Sequence, residues 1–177
     1  MDNIDVHINA PLIEECRKGS SRAQYMLYNQ YSRAMYNVAL RMLNNREDAE
    51  DILQETFVDC FRNIAYFRFE STFGAWLKKI LVNKCINHIR KKKIDLKLTE
   101  ELPESADDED EETVYDISGI IKGIEELPDG YRIILTLYLL EGYDHAEIAQ
   151  ILGISESTSK SQYSRAKDRL RNQLTKN

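Results

Sequence analysis

The stretch "DHAEIAQILGISESTSKSQYSRAKDRLRNQL", residues 144–174, reads as two helices hinged on a glycine. Asp144 and Glu147 have the spacing of a capping box in which Asp replaces the usual Ser or Thr. Ile148, Ile151 and Leu152 give the first helix its buried side, and Ala149, one turn before Gly153, lets the second helix approach closely. Gly153 supplies the tight turn, Ile154 plugs the angle, and Ser155 caps the second helix. Helical register turns Ser159, Tyr163, Ala166 and Leu170 inward, so Ser157, Lys160, Ser161, Ser164 and Arg165 face out. From Lys160 to the end there are six bases and one acid. Short hydroxyls beside long cations suit entry into a DNA major groove and contact with its phosphates. A helix-turn-helix that binds DNA explains this stretch better than a plain α-hairpin does.

Working outward, Ile120, Ile121, Ile124 and Leu127 form an amphipathic helix stopped by "PDG", and Ile133, Ile134, Leu137 and Leu140 form a second, stopped near Gly142. Further upstream the charge changes sharply. The whole chain has a formal net charge of −6. Residues 1–95 carry 15 bases and 12 acids, residues 96–130 carry 2 bases and 13 acids, and residues 131–177 carry 7 bases and 5 acids. The acidity therefore belongs to one middle segment, whose run "DDEDEE" at 107–112 contains nothing to bury. Such a run repels itself and stays solvated. The expected organisation is an all-α chain of two small helical domains, residues 1–95 and 118–177, joined by a flexible acidic linker over 96–117. Sparse Gly (7) and Pro (3) and long 3.6-residue periodicities agree with it.

The first domain opens with Leu12, Ile13 and Cys16 on one helix face and Gly19 as a stop. Ser20 or Ser21 can cap the next helix, where Tyr28, Tyr31, Met35, Ala39 and Met42 recur until Asn44 and Asn45 punctuate it. A third helix has the apolar stripe Ala49, Ile52, Leu53, Phe57, Cys60, Phe61 and Ile64; its other side carries Glu47, Asp48, Asp51, Gln54 and Glu55. Then "AYFRFESTFGAW" sets Tyr66, Phe67, Phe69 and Phe73 around Glu70, Ser71 and Thr72. The helix after it, within "WLKKILVNKCINHIRKKK" at 76–93, has seven bases and no acid. It buries Leu77, Ile80, Leu81 and Cys85 and gathers Lys79, Asn83, Asn87 and Arg90 on the opposite face. Cations track phosphates, aromatic surfaces receive unstacked bases, and amides read base edges, so this combination fits single-stranded nucleic acid.

Other classes fit less well. The opening residues "MDNIDVHINA" are acidic and polar and do not read as a secretory signal, and the apolar run "IILTLYLL" at 133–140 is too short to span a bilayer. Cys16, Cys60 and Cys85 stand singly in helical register, which predicts buried thiols in a reducing cytoplasm and neither disulfides nor a metal site. His7, His88 and His145 are isolated, and no phosphate-cradling glycine loop or nucleophile–base pair is visible, so no catalytic residue and no cofactor is expected. A stand-alone helix-turn-helix regulator would explain residues 131–177 but leaves the acidic face and aromatic loop of the first domain without a use.

Taken together, these motifs resemble the extracytoplasmic-function sigma factors, the two-domain members of the sigma-70 family. "DAEDILQETF" is similar to the family's region 2.2, "FESTFGAWLKKILVNKCINHIRKKK" to regions 2.3 and 2.4, and "AEIAQILGISESTSKSQYSRAKDRLR" to region 4.2. The resemblance implies an initiation factor that binds core RNA polymerase, through the clamp of the largest subunit and the flap of the second largest, and directs it to promoter DNA. It implies polymerase contacts at Asp48, Asp51, Gln54 and Glu55. It implies contacts to a melted −10 strand at Phe69, Ser71, Thr72, Phe73, Lys79, Asn83, Asn87 and Arg90, with residues 66–73 as the loop that pockets a flipped base. It implies contacts to a duplex −35 element at Ser157, Thr158, Lys160, Ser161, Gln162, Ser164 and Arg165. An anti-sigma partner, a cytoplasmic location and no membrane insertion are also implied. Two positions depart from the family: Asn87 stands where an acid is frequent, and "TSKSQYSRAK" has Ser159 and Gln162 where Val and Arg are common. Gln162 is therefore expected to alter the −35 sequence that is read.

Overall fold

A computed structural model describes residues 8–92 and 117–175, and every regular element among them is helical. The chain divides into two compact units, Met1–Lys92 and Lys93–Asn177. The acidic linker expected over 96–117 falls outside the described residues except for Ile117, which opens a helix.

In the first unit, α1 (Ala10–Arg17), α2 (Ser21–Leu43), α3 (Arg46–Arg62) and α4 (Phe73–Lys91) succeed one another, with a 3-10 turn at Ile64–Tyr66 before the loop into α4. The caps explain the boundaries. Ser20 accepts a hydrogen bond from the Ala23 amide and starts α2. Asn44, in the left-handed region at φ 51°, ends α2, and the Asn45 side chain accepts from the Asp48 amide to start α3. Thr72 does the same for α4 through the Ala75 amide. Helices α2, α3 and α4 pack against one another, and α1 lies on α2. Their shared core contains Ile13, Leu27, Met42, Leu77, Leu81 and Ile86, all fully buried. Each such side chain contributes about 1.5–3 kcal/mol by leaving water. All three cysteines are free and buried here, and burial pushes the Cys60 and Cys85 thiols up to about 12.

The second unit contains α5 (Ile117–Glu125), α6 (Asp129–Leu135), α7 (His145–Leu152) and α8 (Glu156–Leu174). Ile124, Leu127, Leu135, Ala166 and Leu170 form one of its buried clusters, which joins α5, α6 and α8. The predicted capping box of α7 is present: the Glu147 amide donates to Asp144 at 2.8 Å, and the Asp144 amide donates to the Glu147 carboxylate at 2.9 Å. Gly153 ends α7 in the left-handed conformation at φ 69°, and Ser155 caps α8 by accepting from Thr158.

One expected inward residue is not inward. The helix carrying Ile133 and Ile134 widens into a π turn over Thr136–Leu140, where the Glu141 amide donates to the Thr136 carbonyl five residues back. The extra residue per turn rotates the side chains beyond it, so Leu137 remains buried while Leu139 and Leu140 are exposed.

Because the Gly153 hinge needs positive φ, Gly153→Ala is expected to destabilise the second unit by roughly 1–2 kcal/mol. Urea denaturation of the full chain, monitored by a probe in that unit, measures this.

Candidate promoter and polymerase interfaces

Helix α4 has three faces. Leu77, Leu81, Val82, Cys85, Ile86 and Ile89 are buried. Lys79, Asn83, Asn87 and Arg90 are all exposed and fall within an arc of about 80° of the helical wheel. Half-buried Trp76 lies in the same arc, one turn before Lys79, and periodicity reasoning alone does not single it out.

The third face turns to α3. Lys84 Nζ lies 2.7 Å from Asp59 and 3.3 Å from Glu55, and Lys92 Nζ lies 2.6 Å from Asp48. His88 Nε2 is 3.3 Å from the other Asp48 oxygen. These three bases recur at i, i+4 and i+8, which is the signal that could have separated them from the solvent-facing set. Asp51, Gln54 and Glu55 remain exposed on α3 and line an open cleft of about 500 Å³ with Val58, Asp59, Arg62 and Lys84. Asp48 does not belong with them: it is half-buried and its carboxylate is already engaged by Lys92 and His88. Helical register alone does not reveal these partners on the neighbouring helix.

The loop between α3 and α4 sorts the aromatics. Phe67 and Phe73 are buried, with ring centroids 5.9 Å apart, and Trp76 packs 5.1 Å from Phe67. Phe73 also meets the Tyr31 ring at 5.2 Å, and Tyr31 presses so closely on Gly74 that a Cβ there would come within 2.9 Å of Cε1. Phe73 is thus a core anchor at the start of α4, its ring packed among those of Tyr31, Phe67 and Trp76. Tyr66 is exposed and Phe69 half-buried. Phe69 sits in the left-handed region at φ 58°, a conformation costing a non-glycine residue about 1–3 kcal/mol. Beside it Ser71 and Thr72 are half-buried and Glu70 is exposed.

On α8, Ser157, Lys160, Ser161 and Ser164 are exposed, and Thr158 and Arg165 are half-buried. Gln162 is buried beside Ser159, Ala166 and Leu170. At 100° per residue, Gln162 lies about 60° from the inward-facing Ser159, so packing against the other helices covers it. Its side chain supports α8 from inside. Ser159 is held by a 3.0 Å hydrogen bond to His145 Nδ1, whose ring stacks on Tyr138 at 4.6 Å. Among the described residues no cluster of three or more His, Cys, Asp or Glu could hold a metal, and no helix is long and apolar enough to cross a membrane.

One helical unit thus carries a basic and amide face and the other a helix-turn-helix, a two-module architecture built from surfaces suited to nucleic acid. Residues 27–94 match Sigma-70 region 2, and residues 119–170 match Sigma-70, region 4. The chain is 34% identical over 176 residues to the ECF RNA polymerase sigma factor SigW of Bacillus subtilis, covering 92% of this chain and 94% of that protein. It is 32% identical over 149 residues to SigM of the same organism, covering 82% and 91%. The sigma factor RpoE, solved in complex with the anti-sigma factor NepR from Bartonella quintana, superposes with a TM-score of 0.57 at 25% identity over 86% of this chain and 96% of that one. The chain belongs to the extracytoplasmic-function sigma factors.

The Asp48 seam makes a pH prediction. The hydrogen bond from Lys92 holds the Asp48 carboxyl below its ordinary pKa, with His88 adding to it and outweighing the opposing effect of burial. A depressed folded-state pKa stabilises above the unfolded value and is lost as pH falls through the folded one. Asp48→Asn is therefore expected to weaken the fold near pH 6, with the difference from wild type shrinking below about pH 4. Denaturation midpoints across pH read it directly.

Proposed function

We propose that this chain, a sigma factor directing RNA polymerase to promoters, divides that task between its two units. The observation that carries the reading is the split of α4 and its neighbour into separate surfaces. Lys79, Asn83, Asn87 and Arg90 face solvent on one, and Asp51, Gln54 and Glu55 line a cleft on the other. In this reading the first unit docks on the polymerase clamp through the cleft and receives the melted −10 strand on α4. Tyr66, Phe69, Ser71 and Thr72 form the loop around a flipped base. The exposed start of α8, with Ser157, Lys160, Ser161 and Ser164, reads the −35 duplex while this unit sits on the flap.

The protein performs no covalent chemistry itself and works in the cytoplasm, where polymerase and promoters are. Tethering the two readers raises the effective concentration of the second once the first is engaged. An anti-sigma partner, of the kind bound to the Bartonella relative, would compete for the cleft, where Val58 is 47% exposed amid the acids.

Selection of promoter fragments with and without core polymerase tests the whole reading: specific transcripts should require both components. Tight duplex selection by the chain alone, unaffected by polymerase, would point to a stand-alone regulator. Within this scheme, Asp51→Arg should lower polymerase affinity at least tenfold, about 1.4 kcal/mol, with unchanged circular dichroism. Lys160→Ala should reduce transcription from −35-dependent promoters several-fold and leave polymerase affinity alone, which a competition titration against wild type would measure.

A further inference from the structure

Arg17 ends α1, ten residues before the part of the chain that matches region 2 begins. It nevertheless touches the loop between α3 and α4 at three points. Its Nε donates to the Ile64 carbonyl at 3.3 Å, its Nη2 donates to the Phe67 carbonyl, and its guanidinium carbon lies 5.4 Å from the centre of the Phe69 ring. The remaining Nη1 donates to Glu14 at 2.7 Å, which fixes the plane of the fork. The helix bearing this arginine is itself anchored. Asn9, just before α1, donates to the Tyr31 hydroxyl at 2.5 Å, and Tyr31 packs on Phe73 and against Gly74 at the far end of the same loop.

The contacts bracket the strained residue. Phe69 is held at positive φ, with its ring 4.9 Å from buried Phe67 and under the Arg17 cation. A loop that must stay in a disfavoured conformation needs fixed points on each side. Arg17 supplies the upstream points at residues 64 and 67; the Thr72 cap and the buried Phe73 supply the downstream ones. We propose that Arg17 is a positioning residue for capture of an unstacked nucleobase: it presets the Phe69 loop so that the base enters a formed site and the ordering cost is not met at binding. The proposal rests on the assignment of residues 66–73 as the base-holding loop.

The test uses holoenzyme reconstituted from the full chain and core polymerase, with forked promoter probes taken from the selected pool. Each probe carries either an intact or an abasic nucleotide at successive −10 positions of the single strand. Wild type should prefer the intact probe at one position by tenfold or more. Arg17→Ala should shrink that preference at least fivefold, with polymerase affinity and −35 dependence unchanged, and Arg17→Lys should recover part of it. An unchanged preference in Arg17→Ala, with loss in Phe69→Ala, would overturn the role of Arg17 and leave the loop assignment standing. An unchanged preference in both would overturn the loop assignment as well. Equal losses of polymerase affinity and base preference in Arg17→Ala would make the arginine a general support of the unit and also overturn the proposal.

Discussion

A helix with 3.6 residues per turn has room for about three faces, and α4 uses all of them. One buries Leu77, Leu81 and Cys85 in the core. One sets Lys84, His88 and Lys92 against the carboxylates of α3. The third leaves Lys79, Asn83, Asn87 and Arg90 in solvent. The rest of the first unit depends on that partition. If the paired bases were turned outward, the α3 acids beside the core would face one another without compensation. Helical register thus separates the bases of this stretch that pair with α3 from those, such as Lys79 and Arg90, on the solvent face.

Much of this is legible in the sequence because it depends on local physics. Caps and turns act over three or four residues, and Ser20, Asn45, Asp144, Gly153 and Ser155 each terminate or start a helix as their residue types predict. The exposed face of α4 is equally readable, since one period fixes it. Other features are not. Phe73, Gln162 and Asp48 all lie at positions where a register argument permits exposure and a neighbouring element removes it. Leu140 escapes its expected place because a π turn carries no clear signature in "LTLYLL" and shifts every later residue. Arg17 is invisible for a related reason: its partners are backbone carbonyls 47 and 50 residues away, which have no side-chain identity to match.

In the second unit the polar interior is the point of interest. Ser159 stands fully buried where an aliphatic residue would pack more simply, and His145 from the preceding helix meets its hydroxyl. An unmatched buried hydroxyl costs about 1–3 kcal/mol, so the two residues require each other. Tyr138 and Tyr163 enclose the imidazole, with centroids 4.6 and 5.5 Å from it. The angle between the two hinged helices is thus set partly by a directional bond and not by oily packing alone.

The α3–α4 seam also bears on how the cleft is seen from a distance. Of its lining residues, Asp51, Glu55 and Asp59 are opposed by Arg62 and Lys84, leaving a net of about one negative charge. At physiological ionic strength fields fade over roughly 8 Å, so such a surface exerts little pull on an approaching basic partner. A basic partner of any kind would feel these acids only after close approach, when low local dielectric restores their strength. A mostly self-neutralised surface of this kind gives up speed of capture and, in exchange, ignores the many other cationic surfaces of a crowded cell.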